Sequence, residues 1–304
     1  LTLGLAQAAP AQDTFVNIAT GPTGGTYYPV GTAMAKIWTD QLPGVKATAQ
    51  STGGTRNNIQ LLGDGDAEAG FADGLSYDAY NGINTYEGQP QAFLRTAVPL
   101  YPEVIHILAA KGSGIKTIAD LKGKRVSIGA VGGSVAATTA VLLKAVGLNL
   151  ETDIKAEYLG HADAVTGFQD RRIDAAVIVG ALGISSAVES TTLGLVDIIA
   201  VPTEVVAAVS KEVPYFAPYT IPKDTYKDQA ADVTTFSSPN ILAVHEKLPD
   251  DLVYGITKSL FDNKADLVAV AKSMNGMRAE DIINVKIPLH PGAERYYREL
   301  GLVK

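Results

Sequence analysis

The stretch most informative about the fold is residues 125–146, which read RVSIG, then AVGGS, then VAATTAVLLKAV. The first part is a short apolar strand candidate, and the second is a glycine-rich turn that ends in a hydroxyl residue. The third part has helical spacing, with Val141, Leu142 and Ala145 expected to face inward. A strand, a turn and a helix in this order are the repeating unit of α/β proteins with parallel strands. This stretch therefore predicts an α/β fold.

Two more junctions of the same kind occur upstream, GPTGGTYY at residues 21–28 and QSTGGT at residues 50–55. Glycine lets a ligand approach the backbone closely, and the free N–H groups and dipole of a helix N-terminus attract an anion. Ligands of α/β proteins bind at the carboxyl ends of strands, where these junctions lie. We therefore expect the three turns to form one anion site, with backbone N–H groups as donors. The alternative is three unrelated helix caps, with Thr55 and Ser134 as N-cap residues.

Composition excludes several classes of function. The 304 residues include no cysteine, so disulfides, thiol catalysis and cysteine-based metal sites are ruled out. The net charge of −7 argues against a nucleic-acid partner, which needs a clustered basic surface. The net charge does not exclude an anionic ligand, because a local site can reverse the sign of the field. No apolar run approaches the roughly 18 residues needed to cross a bilayer.

The first eleven residues, LTLGLAQAAPA, differ in kind from the rest of the chain. Leucines followed by small residues, with two A-x-A cleavage candidates, are typical of the end of a trimmed signal peptide. We therefore interpret residues 1–12 as a residual signal-peptide tail and expect a periplasmic protein. The alternative is a frayed terminus or a cloning remnant.

Metal, cofactor and catalytic motifs are not found. The four histidines are His106, His161, His245 and His290. None forms an H-x-x-x-H or H-E-x-x-H pair, so no metal site is predicted. The glycine turns contain neither G-x-x-x-x-G-K-[ST] nor G-x-G-x-x-G, so no nucleotide cofactor is predicted. A rival hypothesis is a periplasmic hydrolase that uses Ser134 with His161. It is weakened because Ala136 stands where a nucleophile elbow has glycine.

Five stretches spread along the chain point to one protein family. They are GGTYYP at 24–29, QSTGG at 50–54, YDAYNG at 77–82, LYPEV at 100–104 and IPLHPGAERYY at 287–297. With these stretches, the chain from Phe15 onward resembles the TAXI group of solute-binding proteins of TRAP (tripartite ATP-independent periplasmic) transporters. It departs from the usual family pattern at Arg56, at Ala72 and Gly74, and in the third glycine turn, which reads GGSV at residues 132–135.

The resemblance implies an α/β, two-lobed periplasmic binding protein-like fold of type II with a central ligand cleft. It also implies closure around a small carboxylate such as glutamate or 2-oxoglutarate, and delivery of that carboxylate to integral membrane subunits of a TRAP transporter. The alternative within the same fold is a periplasmic protein that feeds a sensor rather than a transporter.

We expect lobe one to contain residues 13–100 and 235–304, and lobe two to contain residues 101–234. We expect the ligand to be bound by Gly25, Thr26, Tyr27, Thr52, Gly54, Thr55, Arg56, Asn58, Tyr101, Gly133, Ser134, Val135 and Gly180. Arg56 is a candidate clamp for a second carboxylate, because it lies in the first turn after Thr55. The alternative for Arg56 is a solvated helix residue.

Overall fold

The structure is a computed structural model that describes residues 13–304. The expected signal-peptide tail, residues 1–12, lies outside the described residues. In chain order, the strands and α-helices are β1 Thr14–Ala19, α1 Tyr27–Gln41, β2 Val45–Gln50, α2 Thr55–Asp64, β3 Ala69–Asp73, α3 Leu75–Asn81, β4 Leu94–Pro99, β5 Glu103–Ala110, β6 Arg125–Ser127, α4 Val135–Ala145, β7 Lys155–Glu157, α5 His161–Gln169, β8 Ala175–Gly180, α6 Ser185–Thr192, β9 Val196–Ile199, α7 Thr203–Glu212, β10 Ala217–Ile221, β11 Val233–Ser238, β12 Asn240–His245, α8 Asp250–Asp262, α9 Lys264–Val270 and α10 Pro291–Glu299.

The strands form two separate sheets, which confirms the α/β class and the two-lobed architecture. The first sheet has the order β2-β1-β3-β12-β4. The second has the order β10-β11-β5-β8-β6-β7, with β9 paired to β5. Within residues 13–304, no helix has the length and apolar character that crossing a bilayer requires.

The sheets are mixed rather than parallel throughout, so the expectation of parallel sheets is only partly correct. Pairs that belong to strand–turn–helix units are parallel, for example β1 with β2 and β6 with β8. In contrast, β12 is antiparallel to β3 and β4, and β5 is antiparallel to β8, β9 and β11. The antiparallel pairs arise from the two crossings between the sheets. After each crossing the chain enters the new sheet at the edge that faces the other sheet, so β5 and β12 begin at this edge. In contrast, β3, β6 and β8 end at this edge and therefore run in the opposite direction.

Each sheet is covered by helices on both faces, and the helices pack through the apolar spacing of their sequences. In α1, Val30, Met34 and Trp38 are fully buried against the first sheet together with residues of α8 and α10. In α4, Leu142 is fully buried as expected, whereas Val141 and Ala145 are only partly buried. Burial on both faces gives each lobe a core of its own.

The chain crosses between the sheets at two adjacent places, from β4 to β5 and from β11 to β12. The crossings are joined by a hydrogen bond of 2.8 Å from the Leu100 N–H to the Asn240 carbonyl. Residues 235–238, assigned above to lobe one, belong to β11 in the second sheet. There β11 pairs with β10 and β5, and the Thr235 hydroxyl donates to the Ile105 carbonyl at 2.6 Å. The chain therefore leaves the second sheet at Pro239.

Candidate functional site

A cleft lies between the lobes, where the glycine turns before α1 and α2 meet the turns before α4 and α5. Its walls are formed by Gly21, Pro22, Gly25, Thr26, Tyr27, Gly53, Gly54, Thr55, Asp73, Glu103, Ala130, Gly133, Ser134, Val135, His161, Val179 and Gly180. The junctions lie there because β1, β2 and β6 all end at this side of their sheets.

Nine of the thirteen residues that we expected to bind ligand line this single cleft. They are Gly25, Thr26, Tyr27, Gly54, Thr55, Gly133, Ser134, Val135 and Gly180. Strand–turn–helix units place the turns of each lobe at one edge of that lobe's sheet, and the tertiary arrangement of the two sheets brings the two edges together. Gly180 leaves room for a neighbour, since a Cβ atom there would lie 2.3 Å from the Ile184 Cδ1 atom.

The other four expected residues do not line the cleft. Thr52 and Asn58 support the turn before α2 through hydrogen bonds within the first lobe. The Thr52 hydroxyl donates to Asn58 Oδ1 at 2.6 Å, and Asn58 Nδ2 donates to the Thr20 and Phe71 carbonyls. These bonds satisfy the buried side-chain amide of Asn58 within the protein. Asn58 therefore stabilises the turn and does not face the cleft.

Arg56 and Tyr101 lie elsewhere. Arg56 is exposed, and its guanidinium carbon lies 6.0 Å from the centre of the Tyr86 ring. Tyr101 is buried and lines a second cavity of about 420 Å³ beside the two crossings. Arg56 was expected in the cleft because it follows Thr55 along the chain, but the direction of its side chain is set by tertiary packing.

The glycine N–H groups are already bonded within the protein, which corrects the expectation that they would be the anion donors. The N–H groups of Gly25, Gly54 and Gly133 donate to the Pro22 carbonyl, the Thr52 hydroxyl and the Ala130 carbonyl at 2.9, 3.0 and 3.1 Å. The donors left for a ligand are the N–H groups in the first turns of α1, α2, α4 and α5, because helices leave these groups without internal partners. The residues that begin these four helices all line the cleft.

Thr55 and Ser134 do not cap their helices, so the simple N-cap alternative is not what the structure contains. Neither α2 nor α4 has a side-chain cap hydrogen bond. Instead the Thr55 hydroxyl accepts from the Asp73 N–H at 3.2 Å, and the Ser134 hydroxyl donates to the Asp73 carboxylate. Because Ser134 belongs to the second lobe and Asp73 to the first, this contact links the two cleft walls.

Two carboxyl groups in the cleft were missed by sequence reasoning. Asp73 is 4% exposed and Glu103 is 2% exposed, and both line the cleft, whose walls contain no lysine or arginine. Their hydrogen-bond donors are neutral, since Asp73 accepts from Ser134 and from the Leu75 N–H, and Glu103 accepts from Asn240 Nδ2 at 2.9 Å. A sequence signal existed, because each is an acidic residue at the boundary of an otherwise apolar strand.

The pKa values of both carboxyls are raised, chiefly because burial disfavours the charged form. The pKa of Asp73 is raised by burial, although the hydrogen bond from Ser134 opposes the shift. The pKa of Glu103 is raised well above its ordinary value by burial and then by the negative charge of Asp73. Both carboxyls are therefore energetically unfavourable as unpaired anions.

His161 reaches the cleft, but not as a catalytic partner of Ser134. Its side chain is 8% exposed, and its Nδ1 atom is buried without a hydrogen-bond partner. Burial lowers the pKa of His161 to about 4, so the ring is neutral at pH 7. The Ser134 hydroxyl donates to Asp73 instead, so the arrangement required by the hydrolase hypothesis is not formed. Within residues 13–304, no group of three histidine or acidic side chains is arranged to hold a metal ion.

Direct contacts across the cleft hold the lobes together. The Asn57 N–H donates to the Gly132 carbonyl at 2.8 Å, and the Ser185 hydroxyl donates to the Gly24 carbonyl at 2.8 Å. These contacts leave a cavity volume of about 40 Å³. That volume has room for about three water molecules, so the described arrangement is a closed one.

Solved structures with this fold include periplasmic proteins of low sequence identity. The structure described as a periplasmic transporter is 16% identical, with a TM-score of 0.59 over 97% of this chain and 94% of that chain. The periplasmic binding protein BugD is 15% identical, with a TM-score of 0.58 over 97% and 95%. The alkanesulfonate-binding protein SsuA from Xanthomonas axonopodis pv. citri, bound to MOPS, is 16% identical, with a TM-score of 0.50 over 95% and 84%. These likenesses confirm the expected periplasmic binding protein-like fold.

A family model covers most of the sequence as well. The model of the NMT1-like family matches residues 18–301, a range that includes the whole cleft and every strand except the start of β1. The chain therefore belongs to the NMT1-like family.

Proposed function

We propose that this protein is an exported, periplasmic solute-binding protein that captures a small carboxylate and delivers it to the membrane subunits of a TRAP transporter. One observation carries the proposal. The N-termini of α1 and α2 from the first lobe and of α4 and α5 from the second lobe meet at one closed cleft. Each N-terminus contributes unbonded N–H groups and a positive dipole end, which together attract a negatively charged group.

Donors from both lobes couple binding to closure. A carboxylate held between α2 and α4 contacts the two lobes at once only when the cleft is closed. Such a ligand therefore binds the closed state more tightly and shifts the population toward it. The cavity of about 40 Å³ has less room than such a ligand needs, so the lobes must separate to take it up and close less tightly around it than they do here.

Family membership and sequence likeness support the transport role. The proteins with this fold described above are named as a periplasmic transporter, a periplasmic binding protein and an alkanesulfonate-binding protein. The stretches GGTYYP, QSTGG and IPLHPGAERYY resemble the TAXI group, whose partners are TRAP membrane subunits and whose ligands include glutamate and 2-oxoglutarate. We carry these two ligands over to this chain as the first candidates.

A thermal-shift screen of organic acids, amino acids, neutral sugars and cations tests the ligand class. A carboxylate at 100 times its dissociation constant should add about 2.7 kcal/mol to the free energy of unfolding. For a chain of 304 residues this corresponds to a rise in Tm of about 5 °C. Stabilisation by a sugar or a cation, without a response to any carboxylate, would contradict the proposal.

The transporter class needs a separate experiment. Vesicles that contain TRAP membrane subunits should take up labelled ligand only when this protein is added outside. Uptake that does not depend on the protein, although the protein binds the ligand, would favour the sensor-feeding alternative.

A further inference from the structure

Helix N-termini explain a carboxylate, but they do not explain the two carboxyl groups of the cleft. Asp73 ends β3 in the first lobe, and Glu103 begins β5 at the crossing. Both side chains are more than nine-tenths buried and line the same cavity as the four helix N-termini. A site that recognised only an anion would gain from a lysine or an arginine here, and its walls contain neither.

We propose that Asp73 and Glu103 hold a positively charged amino group of the ligand, so that the cleft selects amino acids over the corresponding oxo acids. The inference rests on the proposed function and names the ligand class of the same site. The ligand carboxylate lies against the N–H groups of the helix N-termini, and its ammonium group lies against the acidic pair. Opposite charges of the site thus match the two ends of a zwitterion.

An unpartnered group of the cleft points to a ligand independently of the acidic pair. His161 Nδ1 is buried without a hydrogen-bond partner among residues 13–304, and it lies close to the cleft wall, since a Cβ atom on Gly25 would be 2.8 Å from it. A buried polar atom without a partner needs an explanation, and at the wall of a cleft a ligand that supplies the missing partner is one.

The electrostatics of the acidic pair agree with this selection. Burial raises the pKa values of Asp73 and Glu103, because it disfavours their charged forms. A bound ammonium group favours the charged forms, because a nearby opposite charge lowers the pKa of a carboxyl group. An oxo acid has no positive charge that would offset the burial of the two carboxylates.

The experiment compares matched pairs of probes that differ only at the amino position. The pairs are L-glutamate with 2-oxoglutarate and glutarate, L-alanine with pyruvate, and L-leucine with 4-methyl-2-oxopentanoate. Titration calorimetry measures the affinity of each probe. We expect at least one amino acid to bind about 100-fold more tightly than its oxo partner.

Two variants test whether the charge of Glu103 causes the preference for amino acids. Glu103→Gln keeps the acceptor for Asn240 but removes the charge. It should lower amino-acid affinity at least about 10-fold and reduce the preference over the oxo acid. Asp78→Asn is the matched control, because Asp78 is a buried acid of the first lobe that does not line the cleft. It should leave the preference unchanged.

Each outcome decides between the two proposals. Equal or tighter binding of the oxo acid, or an unchanged preference in Glu103→Gln, would overturn the ammonium inference and leave the carboxylate proposal intact. Absence of binding by every amino acid and every oxo acid would overturn the carboxylate proposal itself.

Discussion

Replacement of Gly53 by alanine should prevent the lobes from closing without unfolding either lobe. Gly53 lies in the turn before α2, opposite the turn before α4 in the other lobe. A Cβ atom on Gly53 would lie 2.1 Å from the Val131 carbonyl oxygen, and Cβ atoms essentially never approach another atom within 3.0 Å. The two turns must therefore move apart by about 0.9 Å at this contact, the difference between these distances.

That separation is enough to break neighbouring contacts across the cleft. The hydrogen bond from the Asn57 N–H to the Gly132 carbonyl is 2.8 Å long, and a further 0.9 Å would take it beyond hydrogen-bonding distance. The bond from Ser134 to Asp73 joins the same two walls and should weaken with it. At about 0.5–1.5 kcal/mol for each bond, the closed state loses about 1–3 kcal/mol. Ligand Kd should then rise about 5- to 150-fold.

The assay combines calorimetry with small-angle scattering, using the carboxylate identified in the screen. Wild-type protein should become more compact at saturation, and Gly53→Ala should remain closer to its ligand-free radius of gyration. Gly44→Ala is the control, because Gly44 has a φ of +72° and no atom within 4 Å of a Cβ position. It should lose about 1 kcal/mol of stability through backbone strain and bind normally. Wild-type Kd and full compaction in Gly53→Ala would refute the reasoning.

Three further predictions concern stability and the expected site residues. Arg56→Ala should leave ligand Kd within about twofold of wild type, because the guanidinium lies over the Tyr86 ring outside the cleft; a tenfold loss in calorimetry would restore Arg56 as a clamp. Asn58→Ala should lower the free energy of unfolding in urea by about 1–3 kcal/mol, because it removes the buried amide that donates to the Phe71 carbonyl and, with the Thr52 hydroxyl, to the Thr20 carbonyl; an unchanged urea midpoint would contradict this. Burial lowers the pKa of His106 to about 4, as it does for His161, so the folded protein disfavours the protonated form of each ring. The stability that each neutral ring contributes is complete above pH 6.5, and it is lost as the pH falls from 6.5 toward 4. Unfolding curves at pH 7 and pH 5 should show a loss about 2 kcal/mol smaller in His106→Leu than in wild type, and equal losses would show that this histidine does not titrate as proposed.

The sequence by itself determined those features that depend on neighbours along the chain. The spacing of apolar residues in 125–146 predicted the strand, the turn and the helix, and the structure places β6 and α4 there. Three repeated glycine turns predicted a ligand site at strand ends, because a strand–turn–helix unit brings its turn to the carboxyl edge of its own sheet. Nine expected residues line one cleft, but the meeting of the two sheets that carry them is decided by the tertiary structure.

Tertiary structure decided which groups of those turns remain free and what faces them. The N–H groups of Gly25, Gly54 and Gly133 are used by nearby acceptors, so the donors shift to the first turns of the helices. Asp73 and Glu103 are 30 positions apart in the chain, and only the crossing from β4 to β5 brings them to one cavity. Local spacing cannot carry that information, because the charge balance of a cleft depends on side chains that meet only when the two lobes close.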